Sequence, residues 1–315
     1  MPFGFIMGTE PNKGKRKEKK KMKKLTSVAL ALAILLLGAA FASCGGVTFD
    51  ETKKISVVAR ETGSGTKSAF MELLGLKGKA DPSGVIIATG TAAVLAEVKN
   101  NEYAIAYDSL GYVTDDVKML KVDGVEATIE NIKNGSYKIS RPLQVVYQES
   151  KVGASAADTA YLAFLKSSEA QTIISDNGYV PTFDGAVAYT PDASLTGNIG
   201  ITGSTSLKPL MEKLAAKFHE LQPNVEVSVG GGGSGTGYND AKNGVSEFGM
   251  ISEAFEETRA PGCAHYEVAK DGIAVIVNKA NTLDDISLDA LKNIYNVDAG
   301  DAAVTTWTDA GKKNK

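Results

Sequence analysis

Short runs of β-branched and other apolar residues recur along the chain, and stretches with helical spacing separate many of them. Such alternation is typical of an α/β protein whose helices cross over a sheet. Each run has about the usual length of a strand. The strands predicted in this way are ISVVA (55–59), GVIIA (84–88), YAIAY (103–107), LQVVY (143–147), VEVSV (225–229), FGMIS (248–252) and GIAVIV (272–277).

Two stretches carry apolar residues at the three- and four-residue spacing of one helix face. The first spans residues 207–221, and Pro223 follows it as a stop signal. The second spans residues 158–177 and ends before Gly178. We therefore predict one amphipathic helix in each stretch.

Residues 184–198 show no sustained period and contain Pro191 with several small polar residues. This composition indicates a linker. It divides the chain into two segments of similar length, 55–183 and 199–315, and a short linker, 44–54, precedes the first segment.

Residues 1–43 predict a signal peptide, because a strongly basic stretch is followed by the uncharged run 25–43. Met22 begins an ordinary MKK signal start, so we favour a misassigned start for residues 1–21. Cys44 follows small residues and precedes two glycines, which resembles a bacterial lipoprotein signal. The resemblance implies cleavage before Cys44 and acylation of its thiol. A membrane anchor is the alternative, since such a run could span a bilayer of ~30 Å.

The charge of the chain argues against nucleic acid as a partner. The whole chain has a formal net charge of −3; its first 24 residues carry nine Lys or Arg and two Glu, a net +7, which leaves −10 for the remainder. Phosphate backbones are bound through clustered Lys and Arg. A body this acidic offers no such surface.

Cysteine and histidine are scarce, with two of each in the chain. If Cys44 is acylated, Cys263 has no partner, so we predict neither a disulfide framework nor a cysteine-based metal site. His219 lies in a helical pattern and His265 in a predicted loop. We interpret both as ordinary histidines and predict no metal and no cofactor.

Three turns of Gly, Ser and Thr each lead into a predicted helix: ARETGSGT (59–66), TGSTSLKP (202–209) and VGGGGSGT (229–236). The first N–H groups of a helix lack intrahelical acceptors, and the helix dipole adds about half a positive charge there. Such an end binds anions. Ser and Thr are also the ordinary caps of any helix. Three such turns, one of them with Arg60 close before it, favour an anion site.

Other sites find weaker support. GGGGSG (230–235) satisfies GxGxxG after a strand, as in dinucleotide sites. Its glycine cluster and short following helix fit that use poorly, however. The chain contains no GxxxxGK[ST], and its two histidines form no convincing Ser-His-Asp set. The sequence thus argues against a nucleotide-binding protein and against a hydrolase.

The chain resembles the phosphate-binding lipoproteins that feed ABC-type phosphate importers. The motifs that carry the resemblance span residues 47–315 and are RETGSGTKSAF, NGSYKISRPL, SEAQTIISDNGYVP, GSTSLKPLMEKLAAKFHELQPNVEVSVGGGGSGTG, FGMIS and KDGIAVIVN. In that family the GSTS turn opens the domain and RE..GSGT lies in its second half. The order is reversed here, so the chain resembles a circular permutant, and joining Lys315 to Thr52 would restore the family's order. Two alternatives are exchange of halves between two chains and a rearranged gene whose product does not fold.

The resemblance implies a two-lobed, type II periplasmic-binding fold, with mixed sheets flanked by helices and a ligand cleft at the hinge. It also implies which residues surround the oxyanion: Thr205, Ser206, Ser234, Arg60, Ser64, Gly65 and Thr66. Glu253 stands where some members carry an acidic residue that accepts the proton of a hydrogen phosphate. Thr62 stands where the family often has an acidic residue near the arginine, which leaves fewer acceptors for that proton.

The function implied by the resemblance is capture of inorganic phosphate and its delivery to an ABC permease. The protein would be a monomer, lipid-anchored at the extracytoplasmic face of the cell membrane, and not an enzyme. Two alternatives stay open at this point. One is a receptor for another tetrahedral oxyanion, such as sulfate or molybdate, and the other is a surface or signalling module that does not transport.

Overall fold

A computed structural model describes residues 48–312 and, in isolation, Gly4. Apart from Gly4, the predicted signal peptide lies outside the described residues, and so does Cys44, for which the sequence predicts acylation. The described residues from Phe49 onwards form one compact unit. Among the described residues, no helix is long and apolar enough to cross a membrane.

All seven predicted strands are present, with boundaries that differ by up to eight residues. The structure adds β4, β6, β7 and β11 to them, and β10 is much longer than predicted. The strands are β1 (Ser56–Arg60), β2 (Ile86–Ala88), β3 (Ala104–Ser109), β4 (Lys118–Val122), β5 (Ser140–Tyr147), β6 (Val180–Pro181), β7 (Gly197–Gly203), β8 (Val225–Val229), β9 (Phe248–Ile251), β10 (Ala264–Val277) and β11 (Asp285–Ile286).

The helices lie mostly between the strands, as the alternating pattern predicted. Short 3₁₀ turns occupy Leu110–Tyr112 and Gly300–Ala302. The α-helices are α1 (Gly65–Leu73), α2 (Thr91–Asn100), α3 (Ile129–Lys133), α4 (Glu149–Ala154), α5 (Ala156–Leu165), α6 (Ser168–Asp176), α7 (Lys208–Leu221), α8 (Ser234–Asn243), α9 (Leu288–Tyr295) and α10 (Trp307–Lys312).

The single helix predicted over 158–177 is wrong, because the structure divides this stretch into α5 and α6. Ser167 lies between them with an extended backbone, and its hydroxyl accepts a hydrogen bond from the N–H of Ala170. This is the geometry of an N-cap. The helix predicted over 207–221 is confirmed as α7, which has Pro209 in its first turn.

The described strands form one mixed sheet in the order β2-β1-β3-β10-β5-β9-β7-β8. Of the remaining strands, β4 and β6 pair with β10, and β11 pairs with β4. The groups β2-β1-β3 and β9-β7-β8 are parallel within themselves. Between them run β10 and β5, which are antiparallel to each other. The parallel groups thus lie on the two sides of this central pair.

Two large hydrophobic cores define two lobes. Lobe 1 comprises residues 49–139 and 272–312, and lobe 2 comprises residues 140–271, except that Val180 packs into the core of lobe 1. The chain crosses between the lobes at β5 and at β10. The lobes therefore do not coincide with the segments predicted on either side of the linker, since each segment contributes to both cores.

The two ends of the described chain pair with each other in lobe 1. The N–H of Ile55 donates to the carbonyl of Thr305 (2.9 Å), and the N–H of Thr308 donates to the carbonyl of Glu51 (2.7 Å). The rings of Phe49 and Trp307 meet edge to face, with centroids 5.7 Å apart. The first and the last described residues therefore lie next to each other in lobe 1.

The stretch predicted as a linker runs along the helices of lobe 2. Its carbonyl at Val187 accepts from the N–H of Ser168 (2.9 Å), and Tyr189 packs edge to face on Phe164. Strand β7 begins at Gly197, so the last residues of the predicted linker belong to the sheet.

Candidate functional site

All three Gly, Ser and Thr turns follow the carboxyl end of a parallel strand and lead to a helix. The first connects β1 to α1, the second connects β7 to α7, and the third connects β8 to α8. A side chain caps the first of these helices, and another side chain bonds within the turn that precedes the second. The Ser64 hydroxyl accepts from the N–H of Lys67 (3.3 Å), and the Ser204 hydroxyl accepts from the N–H of Leu207 (3.1 Å).

These turns meet across the two lobes. The hydroxyls of Thr66 and Ser206 lie 2.8 Å apart at hydrogen-bonding distance, although the residues belong to different lobes. The N–H of Gly235 donates to the carbonyl of Gly63 (3.0 Å). Thr66 and Ser206 are each 1% exposed. The predicted site residues of the two sequence segments thus form one buried hydroxyl cluster within a single chain.

Gly65 lies where α1 of lobe 1 comes close to Ser234 and Ser252 of lobe 2. A Cβ atom at this position would overlap the side chain of Ser234 and lie 2.9 Å from the Ser252 hydroxyl oxygen. The Ser234 hydroxyl accepts from the N–H of Ser252 (3.0 Å). Only glycine therefore allows α1 to begin against the start of α8. The sequence analysis did not single out Ser252, although it quoted the FGMIS motif.

Arg60 joins the cluster from the end of β1, and its side chain is 1% exposed. Its Nη2 atom donates to the Thr205 hydroxyl (2.9 Å). Its Nε and Nη2 atoms also donate to the two carboxylate oxygens of Glu61 (2.9 and 2.8 Å). The buried Nη1 atom has no partner among the described residues. One arm of the guanidinium is thus left for another group.

Glu61 supplies an acidic group beside Arg60, although Thr62 stands where the family often has one. Burial raises the pKa of Glu61, but the hydrogen bonds and charge of Arg60, with the N–H of Gly90, outweigh it and lower the pKa overall. The carboxylate fixes the orientation of the arginine. Oε1 accepts from Arg60, and Oε2 accepts from Arg60 and from the N–H of Gly90, so Glu61 orients the arginine.

Glu253 lies on lobe 2, beside the cluster, and is 2% exposed. Its Oε1 atom accepts from Nη1 of Arg259 (2.6 Å), whereas its buried Oε2 atom has no partner among the described residues. A cavity of about 490 Å³ opens here. Its lining consists of Thr62, Gly63, Ser64, Lys67, Ser68, Met71, Lys77, Gly78, Lys79, Ala80, Asp81, Glu253 and Arg259. Glu253 and Ser64 both line this cavity, and Glu253 directly follows Ser252, whose N–H donates to Ser234.

A second layer of buried charge supports the site from the crossing between the lobes. Arg141 of β5 donates to Oδ2 of Asp271 in β10 (3.0 Å), and both side chains are almost fully buried. Its Nη1 atom also donates to the carbonyl of Ser252 (3.0 Å), which ties the crossing strands to the cluster. Burial raises the pKa of Asp108 to about 8, against the lowering effect of Arg60 and Arg141.

This arrangement suits a small oxyanion held by short-range donors. Hydroxyls, helix-terminal N–H groups and an arginine can all donate to anionic oxygens, and charge-assisted bonds are the stronger kind. The buried carboxylate Glu253 can accept only from a ligand that carries a proton. Two lobes joined by crossing strands, with such donors between them, define the class of two-lobed solute-binding proteins.

Comparisons with known proteins agree with this class. The family profile described as the PBP superfamily domain matches residues 48–169 and 188–315. The chain is 36% identical over 267 residues to the phosphate-binding protein PstS 2 of Streptococcus agalactiae, covering 82% of this chain and 88% of that protein. Its structure is similar to the crystal structure of a phosphate ABC transporter phosphate-binding protein from Streptococcus pneumoniae, with a TM-score of 0.65. The two sequences are 31% identical, and the match covers 82% of this chain and 99% of that chain. The chain therefore belongs to the PBP superfamily and, within it, to the PstS phosphate-binding proteins.

The match to another PstS protein is shorter. The phosphate-binding protein PstS of Bacillus subtilis is 32% identical over 123 residues, which are 38% of this chain and 39% of that protein. The family assignment and the two-lobed α/β fold predicted from the sequence are confirmed.

Proposed function

We propose that this protein captures inorganic phosphate outside the cytoplasm and delivers it to an ABC-type importer. The observation that carries the proposal is the buried cluster in which Arg60, Thr66, Thr205 and Ser206 meet across the two lobes. Ligand binding between two lobes excludes water, and polar contacts are stronger in such an environment. Movement of the lobes about the strands that cross between them would then admit and release the ion.

The proposed ligand contacts follow from the donors that the site offers. Ser64, Gly65 and Thr66 contribute the N-terminus of α1, and Thr205, Ser206 and Ser234 contribute the turns of lobe 2. The free Nη1 atom of Arg60 donates to a further ligand oxygen. Oε2 of Glu253 accepts the proton that phosphate still carries at neutral pH and that sulfate lacks, so the site favours phosphate over sulfate.

The cellular setting follows from the sequence and the family. The relatives are phosphate-binding transport proteins rather than enzymes, and we infer the same of this chain. The signal segment supports a position outside the cytoplasm, and Cys44 would carry the lipid that anchors the protein to the membrane. Its partner would be the membrane permease of an ABC importer, and the site is complete within one chain, which favours a monomer.

We also infer that the two sequence segments are exchanged relative to some relatives. One alignment spans 82% of this chain with the Streptococcus agalactiae protein, whereas 38% aligns with the Bacillus subtilis protein. Such partial coverage is expected when a linear alignment can follow one of two exchanged segments. The pairing of the chain ends in lobe 1 supports the same inference, since permutation is tolerated where the termini lie close together at the surface.

The test is isothermal titration of the processed protein, purified in detergent and stripped of bound anion, with phosphate and then sulfate. One phosphate per chain, bound by a monomer and with no sulfate heat, is the expected result. Binding that requires a dimer would indicate exchanged halves. A folded protein that is silent to both anions would refute the proposal.

A further inference from the structure

Glu253 is one of the few buried carboxylates of the site region, and its two oxygens have different surroundings. Oε1 accepts from Arg259, whereas the buried Oε2 has no partner among the described residues, and the residue lines the same cavity as Ser64. A buried charge is costly unless it is paired. The ion pair with Arg259 therefore explains how a carboxylate can be kept in this place.

Arg259 is itself held in position. Its guanidinium lies over the ring of Tyr238, with its central carbon 4.0 Å from the ring centroid. Cation–π contacts of this kind favour arginine. The Tyr238 hydroxyl donates to the carbonyl of Ala254 (3.2 Å) and accepts from the N–H of Glu256 (2.9 Å). Tyr238 thus fastens Arg259 and the segment after Glu253 to α8, the helix that begins at Ser234.

The remaining cations around the cavity are directed elsewhere. Lys67 pairs with Asp81 (2.5 Å), Lys77 pairs with Glu72 (3.3 Å) and Glu256 (2.9 Å), and Lys79 pairs with Asp298 (2.7 Å). Among the described residues that line the cavity, Arg259 is the cation that pairs with Glu253. It is the group that decides which carboxylate oxygen is available.

We propose that Arg259 is a positioning residue that sets the selectivity of the site by occupying Oε1 of Glu253 and leaving Oε2 for the proton of the ligand. This inference rests on the proposed function, in which Glu253 accepts that proton. Arg259 acts through Glu253 and does not need to touch the anion.

Removal of Arg259 has a definite physical consequence. Without Arg259, Oε1 of Glu253 loses the hydrogen bond that fixes the carboxylate, so Oε2 is no longer held in place as an acceptor. Phosphate, whose proton needs that acceptor, would lose affinity, whereas sulfate carries no such proton and would lose little. The ratio of the two affinities should therefore fall.

The experiment measures the dissociation constants of phosphate and sulfate for the processed protein and its variants at one pH. In Arg259→Met and Arg259→Gln we expect the sulfate-to-phosphate ratio of dissociation constants to fall at least ~10-fold, the equivalent of about 1.4 kcal/mol. Arg259→Lys, which keeps a cation, should restore most of the ratio. Lys77→Met removes a cation from the same cavity wall without touching Glu253, and should leave the ratio unchanged.

Glu253→Gln separates the two levels of the argument. We expect its ratio to fall, and Arg259→Met added to it should lower the ratio no further. If Glu253→Gln lowers the ratio and both neutral Arg259 variants keep it, the positioning role is wrong while the proposed acceptor stands. If Arg259→Met weakens phosphate and sulfate equally, Arg259 contacts the anion directly and the inference is overturned. If Glu253→Gln changes nothing, the proposed acceptor itself fails. Thermal unfolding of each variant shows which proteins are folded.

Discussion

At the scale of single residues, the site depends on polar side chains buried at the junction of two lobes. Arg60, Thr66, Ser206 and Ser234 are each at most 1% exposed. The sequence predicted these residues through its resemblance to the phosphate-binding family, whose motifs contain them. It did not predict the supporting residues Glu61 and Ser252, since their roles depend on which groups lie opposite them across the cleft.

Gly65 should be intolerant of even one added carbon. Gly65→Ala would press a Cβ atom into Ser234 and Ser252 across the cleft, and overpacking of this kind costs about 1–3 kcal/mol. We therefore expect phosphate affinity measured by calorimetry to fall by roughly 10-fold or more, since 1.4 kcal/mol is one factor of ten.

The matched control is Gly153→Ala in α4, where an added Cβ meets nothing within 4 Å. This variant should keep its phosphate affinity, and its stability should be equal or greater, because alanine favours helices. An unchanged affinity in Gly65→Ala would show that the lobes do not approach here in the bound state.

Asp108 should make stability depend on pH. Its pKa is raised to about 8 by burial, whereas an unfolded aspartate titrates near ~3.9. Between these values the folded state holds a proton that the unfolded state has released, so the stability present below the unfolded pKa is lost as pH rises towards about 8. Urea unfolding should show a larger decline between about pH 5 and pH 8 in the wild type than in Asp108→Asn, by at least ~1 kcal/mol.

Asp115→Asn is the control for this pH dependence, because Asp115 is exposed. It should decline with pH as the wild type does. Parallel curves for the wild type and Asp108→Asn would contradict the assignment of the effect to Asp108.

At the scale of elements, boundaries followed local capping more than hydrophobic period. The stretch 158–177 has a continuous helical period, yet Ser167 begins a new helix there. β7 was not predicted because three glycines interrupt its apolar positions, although Ile199 and Ile201 alternate into the core of lobe 2. The spacing of apolar residues thus predicted the elements that have a continuous apolar face, but it did not predict the helix boundary at Ser167 or the glycine-interrupted strand β7.

The break between α5 and α6 should be maintained by its cap. Ser167→Ala removes the acceptor for the N–H of Ala170, and loss of such a cap costs about 1 kcal/mol of stability. Urea denaturation of the variant measures this difference directly. Ser175→Ala, at an exposed position of α6, should be neutral or slightly stabilising, and equal losses in both variants would rule out a capping role for Ser167.

At the scale of the whole molecule, the chain order and the lobes follow different divisions. Segments 55–183 and 199–315 each contribute to both lobes, because the chain crosses at β5 and β10. The ends of the described chain pair in lobe 1, and the stretch between the segments runs along lobe 2. The connectivity can therefore change without changing which side chains meet.

A gene with the opposite segment order should give the same binding protein. We would join Lys315 to Phe49, open the chain between Asp184 and Gly185, which are both exposed, and move residues 1–48 in front of Gly185, so that Phe49 and Glu51 keep their contacts in lobe 1. Termini placed at exposed, polar loops are tolerated. We expect one phosphate per chain, with a dissociation constant within about 3-fold of the wild-type value. This corresponds to a difference in binding free energy of less than ~1 kcal/mol. A folded product without phosphate binding would contradict the exchanged order.

The sequence by itself determined the α/β class, most strands and the helix-opening turns, which depend on local spacing and on turn chemistry that a chain carries before it folds. The residues of the candidate site were predicted through the family resemblance of the motifs that contain them. Only the tertiary structure decided that Glu61 orients Arg60, that Arg259 pairs with Glu253 and that Arg141 ties the crossing strands to Ser252. These contacts join groups brought together by packing and burial, and no local pattern encodes them.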